Sequence, residues 1–254
     1  MKPFSLVTLF AAGGMTALLI SCSPAFYSTV GQNVPLFHEK GEFALSGGIM
    51  SASNTSEGFS PFANLSSGIA LQAAVAIDSG AALLTSYYDM AYDGEWQVNA
   101  RYAELSGGLF KYNAKSKLVG ELFAGVGYGT MKNQSGPEAI NAEFIKYFLQ
   151  PSCGFRGKVF ELAFTPRMGV VDYLSHSPSD RSEVQEFFAE KKTTFVFEPG
   201  FTVRVGYKNF KAQYQMNYSS FHFSQAYRSE EYDPVMDCYG SLSLMLRITR
   251  RWKH

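Results

Sequence analysis

Lys211-Ala212-Gln213-Tyr214-Gln215-Met216-Asn217-Tyr218 decides the fold class. Every odd position is polar and every even one apolar, the period-two pattern of a strand with two unlike faces. The same alternation recurs outward along the chain. Phe195, Phe197, Phe201, Val203, Val205 and Tyr207 stand against Glu198, Thr202 and Arg204. Leu242, Leu244, Leu246 and Ile248 stand against Ser241, Ser243 and Arg247. Leu118, Leu122, Ala124, Val126 and Tyr128 oppose Glu121, Gly125, Gly127 and Gly129. Ile145, Tyr147, Leu149, Cys153 and Phe155 oppose Lys146, Gln150 and Arg156. Phe160, Leu162, Phe164, Met168 and Val170 oppose Glu161, Thr165 and Arg167. Weaker alternation runs near 42–50, 68–78, 80–91 and 101–112.

The count is about ten strands, or eight if the weak early pairs are miscounted, mostly of about ten to fourteen residues. Strands of soluble sheets average about five or six residues. A tilted bilayer crossing needs about nine to eleven. Short turns are expected at Asp78-Ser79-Gly80, Asn113 to Ser116, Arg156-Gly157-Lys158 and Tyr207 to Phe210. Longer loops are expected near 51–67, 92–100, 131–142, 174–193 and 224–237. Alternating short and long connections, with an even strand count, describe an all-β, up-and-down antiparallel transmembrane β-barrel over residues 41–250. The alternative is a soluble β-sandwich, whose strands also alternate. Its outward face would be polar, whereas one face here is almost purely Leu, Phe, Val, Ala and Tyr.

Composition agrees. There are 22 basic and 22 acidic residues, so no basic footprint for nucleic acid exists. Aromatics at 15% argue against disorder. Three cysteines are too few for a disulfide scaffold.

Residues 1–21 read as a processing signal: Lys2, an apolar run from Leu6 to Ile20, then Leu19-Ile20-Ser21-Cys22. Leu-x-small-Cys resembles the lipobox of bacterial lipoproteins, which implies cleavage before Cys22 and its diacylation, and acylation of the new amine. Several acyl chains give stable anchoring where one is marginal. Residues 22–40 show neither strand nor helix period and read as a lipidated tether with aromatic and proline anchors. An even barrel puts both chain ends on the periplasmic side. Cys22, in the inner leaflet of the outer membrane, then needs only a short tether to the first strand. Residues 251–254 form a tail.

If the apolar faces meet lipid, the polar faces fill the lumen. Glu42, Glu121, Glu161, Arg156, Arg204, Lys211 and Arg247 then share one depth near the periplasmic end. Opposite charges in a narrow lumen should pair, because isolated buried ions are costly. A second layer is expected from Lys146, Arg167, Glu198 and Glu104. Gly125, Gly127 and Gly129 leave room for larger neighbours or a small cavity. Cys153 on the lipid face and Cys238 at an outer strand start are too far apart to bond, so both are read as unpaired.

No phosphate loop, zinc spacing or nucleophile elbow is present in the sequence. His38, His176, His222 and His254 stand at no ligand spacing, so neither a metal nor another cofactor is expected. Asp172, His176, Asp180 and His222 near the outer mouth could serve a barrel enzyme, a protease or a lipid acyl hydrolase or transferase, since a general base needs a carboxylate-oriented His. They carry no motif of either group, and no catalytic residue is assigned. Val184, Phe187 and Phe188 have helical spacing, for a mouth-capping helix or a packed loop. The acidic stretch Tyr227 to Asp237 reads as solvated rim.

Asn33-Val34-Pro35-Leu36-Phe37-His38-Glu39-Lys40-Gly41-Glu42 resembles a segment that follows the lipidated Cys in small predicted outer-membrane lipoproteins of Bacteroidota, Asn-x-Pro-Leu-Phe-x-Glu-Lys-Gly-Glu before a β-rich body. The resemblance implies an outer-membrane setting and no activity. The expected function is a lipid-anchored barrel with a structural, adhesive or accessory-binding role, whose partners are the bilayer and another envelope protein. A barrel enzyme, a narrow solute pore and an anchored β-sandwich are the alternatives.

Overall fold

A computed structural model describes residues 24–53, 67–93, 96–190, 192–221 and 235–249. The signal segment, Cys22, His222, His254, residues 227–234 and the 251–254 tail lie outside the described residues.

The chain opens with a two-residue strand β1 (Tyr27–Ser28). The wall follows: β2 (Glu42–Ser53), β3 (Ser67–Ala76), β4 (Ala81–Asp93), β5 (Gln97–Asn113), β6 (Leu118–Ser135), β7 (Glu138–Arg156) and β8 (Phe160–His176). After helix α1 (Ser182–Glu190) come β9 (Thr193–Tyr207), β10 (Phe210–Tyr218), β11 (Ser220–Phe221), β12 (Val235–Met236) and β13 (Cys238–Thr249). Consecutive wall strands pair antiparallel, and β10 pairs both β9 and β13. β13 closes on β2 in continuous register from Cys238↔Ser53 to Thr249↔Glu42. The result is one closed barrel of ten strands, β2 to β10 and β13; among the described residues the other sheet is the two-stranded β1–β12 pair, not the second packed layer a sandwich requires.

The wall is inverted relative to a soluble protein. Ile49, Ile69, Leu105, Leu109, Phe164, Phe201 and Leu244 point outward and are exposed, while Ser46, Gln72, Glu104, Lys146, Arg167, Glu198 and Gln213 point inward and are buried. So much contiguous exposed apolar surface far exceeds what a water-facing monomer shows. It has edges. On β6 the outward residues are apolar from Leu118 to Tyr128, and Thr130, Lys132 and Gln134 follow. The ten steps from Leu118 to Tyr128, at about 3.4 Å each and tilted by about 40°, rise about 26 Å, the height of an outer-membrane belt. At its upper edge Asp89, Arg101, Thr130 and Glu143 are successive register partners around the wall. Just below lie exposed Tyr87, Tyr128 and Tyr147, and at the lower edge exposed Phe160, Tyr207 and Phe210, two aromatic girdles.

Strand length departs from expectation. β5 to β8 run to 17, 18, 19 and 17 residues, longer than the belt needs. The long loop expected at 131–142 is instead the tops of β6 and β7, joined at Gly136-Pro137. Above the belt the outward residues turn polar while Met131, Ile140, Ala142 and Phe144 face inward into a buried apolar cluster, so the parity of the alternation reverses and the strand pattern breaks there. The four turns at the other end, after Ala76, Asn113, Arg156 and Tyr207, are short. In the first of them the Ser79 backbone N–H, and then Lys40, hold the Asp78 carboxyl below its usual range.

Candidate functional site: the filled lumen

Residues 24–38 are not a tether outside the barrel. Every residue from Pro24 to Phe37 is buried, and the segment threads the lumen from end to end. At the long-loop end the Ala25 N–H donates to Asn133 Oδ1 (2.8 Å), and Asn133 Nδ2 donates back to the Ala25 carbonyl (2.9 Å). At the short-turn end the Phe37 N–H donates to Glu121 Oε1 (3.0 Å). Both partners stand on β6, twelve residues apart, as Ala25 and Phe37 are. The segment therefore runs fully extended, antiparallel to that strand.

Only the start of the segment has a strand beside it, β1 against β12 with the Thr29 N–H on the Met236 carbonyl; beyond Thr29 no strand among the described residues satisfies its backbone, yet buried carbonyls must be bonded. Here wall side chains replace the strand. Seven consecutive carbonyls, Val30 to Leu36, each accept from one: Asn217 (2.8 Å), Tyr88 (2.8 Å), Gln215 (2.6 Å), Gln150 (2.7 Å), Arg204, Arg247 (2.7 Å) and Arg156 (2.6 Å). Gln32 donates its N–H to Gln215 and its amide to the Glu198 carbonyl. Asn33 donates to the carbonyls of Ala73 and Thr85. Leu36 takes a left-handed φ of 53° as the segment turns to the rim. That conformation is unusual for Leu and persists only where surroundings over-determine it. Its side chain packs with Val34, Val119 and Ala163, and its carbonyl is bound.

The charged residues read from sequence lie around this segment. Glu161 accepts from Arg247 (2.7 Å) and Arg204 (3.2 Å), with Lys211 at 3.5 Å. Arg156 grips Glu42 through both terminal nitrogens, at 2.8 and 2.6 Å. Glu121 departs from the expected pairing: among the described residues it has no cation within 4.0 Å and instead binds the Phe37 N–H. Nearer the mouth Lys146 pairs with Glu198, and Tyr27 bonds both. Arg167 forks onto Glu104 at 3.0 and 3.2 Å and stacks 4.4 Å over Phe148.

The three inward glycines leave no cavity. A Cβ at Gly127 would lie 1.9 Å from Tyr102 Oη, one at Gly129 2.2 Å from Phe144, and one at Gly125 2.5 Å from Phe148. Gly127→Leu is expected to cost about 1–3 kcal/mol by overpacking. Outward Gly120 has nothing within 4 Å, so Gly120→Ala is the control. Thermal unfolding in detergent checks both, and equal midpoints would contradict the packing.

The mouth is capped. Val184, Phe187 and Phe188 lie on α1 and are buried, with Phe26 at 5.0 and 4.8 Å from the two rings. β1 pairs parallel with β12. His176 stacks on Phe188 at 4.0 Å, and Asp172 accepts from Thr193. Among the described residues no hydrogen bond joins His176 to Asp172 or Asp180, and no cluster of metal-ligating side chains forms. Cys153 is exposed, Cys238 is buried, and both are free thiols.

What sequence reasoning missed is the segment itself. Its one signal in the sequence was the absence of any strand or helix period over residues 22–40, just ahead of the first wall strand.

No protein-family model matches the chain, and no curated protein matches it. Among solved structures, the outer membrane protein Ail of Yersinia pestis, determined in a phospholipid bilayer nanodisc, is similar at 15% identity and a TM-score of 0.33. The match covers 82% of this chain and 100% of that one.

Proposed function

We propose that this protein is an outer-membrane β-barrel, lipid-anchored through Cys22, whose lumen is permanently closed by its own N-terminal segment. It works as a non-conducting scaffold that holds its capped mouth and long loops outward for adhesion or for an accessory envelope partner. One observation carries the reading: seven consecutive carbonyls of the segment are bound by seven wall side chains. A pore would not spend its inward side chains on its own backbone. The apolar belt of about 26 Å with its two aromatic girdles supports the membrane setting.

The test is gel mobility of membrane-extracted protein with and without boiling in SDS. A heat-dependent shift is expected, since a closed wall leaves no strand edge for detergent to open. No shift, together with a water-soluble body once Cys22 is exchanged, would sink the membrane reading. Planar-bilayer recording of the intact protein should show no steady channels, and steady conductance would contradict the closed lumen.

A further inference from the structure

We infer that the N-terminal anchor leaves the barrel at the long-loop mouth, so that its acyl chains enter the outer leaflet at the cell surface. This rests on the lipid-anchored barrel reading above, and it reverses the periplasmic anchor expected from strand parity. The geometry is set by β6. Phe37 is tied to Glu121 at the short-turn end, and Ala25 to Asn133, twelve residues further along the same strand. Asn133 stands five residues past Tyr128, the last outward apolar residue, which is about 13 Å above the belt. Three peptide links separate Ala25 from Cys22, a reach of at most about 11 Å, which keeps Cys22 at the long-loop mouth and leaves the last stretch down to the outer leaflet to its thioether-linked glyceryl group and acyl chains. An inner-leaflet anchor would have to return past the whole belt of about 26 Å. Only withdrawal of the segment from the lumen would allow that.

A sideways exit is closed as well. β13 and β2 pair without a gap over the full seam, Cys238↔Ser53 to Thr249↔Glu42. The segment must therefore be enclosed as the wall closes. Short turns face the periplasm in bacterial barrels, which puts the opposite mouth outside. The ligand class is the hydrocarbon of the outer leaflet, met by an anchor displayed on the external side.

The experiment places one short hydrophilic epitope, in separate full-length variants, between Ser23 and Pro24, after Ser79, or between Gly136 and Pro137. Antibody binding is read on intact cells and after the outer membrane is opened. The first and third epitopes should bind antibody on intact cells, and the Ser79 epitope only after opening. If the Ser23 epitope becomes visible only on opening, together with that at Ser79, the inference is overturned. The heat-dependent gel shift reports whether each insertion folds. Should the first insertion misfold, Ser23→Cys on a Cys153→Ser, Cys238→Ser background, probed with a membrane-impermeant maleimide, reads the same end with the same two outcomes. Incorporation of a palmitate analogue, lost in Cys22→Ala, is scored separately. No incorporation defeats the lipid anchor and leaves the exit end still measured.

Discussion

Glu161→Gln is expected to destabilise the barrel by about 3–5 kcal/mol, the cost of breaking a buried ion pair by removing one partner. Glu161 is 1% exposed and is the shared counter-ion of Arg247, Arg204 and Lys211, at 2.7, 3.2 and 3.5 Å. Glutamine keeps the shape and removes the charge, leaving those cations facing one another in a filled lumen. Arg204 and Arg247 also hold the Val34 and Pro35 carbonyls, so the loss spreads to the segment. Denaturant unfolding in detergent micelles measures it. The comparison is Arg101→Gln, which removes an outward pair with Asp89 from a side chain 65% exposed. That change should stay within about 1 kcal/mol, as surface ion pairs do. Equal losses for the two variants would mean that water reaches Glu161 as freely as it reaches Arg101.

Deletion of residues 24–36, retaining Cys22 and Ser23, should convert a silent protein into a steady channel. Among the described residues the segment is the only chain that runs the length of the lumen, and its removal frees the seven wall donors to bind water. Eight-stranded barrels are filled by their own side chains, and open channels begin near about sixteen strands, so ten strands stand between the two regimes. The ion-pair layers around Glu161 and Glu198 remain after deletion, which makes the experiment a direct comparison of segment and ion pairs as the seal. Conductance in planar bilayers from a variant that still shows the heat-dependent gel shift supports the segment. A folded, silent variant would assign the seal to the ion pairs.

The ten wall strands were legible because a wall between lipid and a polar lumen forces every residue to one side or the other. Above the belt that contrast reverses, with Met131, Ile140 and Ala142 buried inward, and legibility ends. Thr130, Lys132 and Gln134 on β6 and Asn141 and Glu143 on β7 are outward but above the belt, and the tops of these strands read as a loop. The charged lumen was legible by parity and depth. Its pairing was not, because parity gives a face and a height but no position around the circumference. Glu161 gathers four cations, Arg247, Arg204 and Lys211 with Arg156 at 4.0 Å, while Glu121, inward and at the same end, takes the Phe37 backbone instead.

By itself, then, the sequence determined an inverted closed barrel, its apolar belt and the residues that face its lumen, since alternation is a local consequence of where each side chain points. Only the tertiary structure decided what fills that lumen. Residues 24–38 carry no period because their backbone is satisfied largely by side chains from eight wall strands, β2, β4, β6, β7, β8, β9, β10 and β13. Partners scattered over more than two hundred positions leave no local pattern, and they meet only when the wall has closed around the segment.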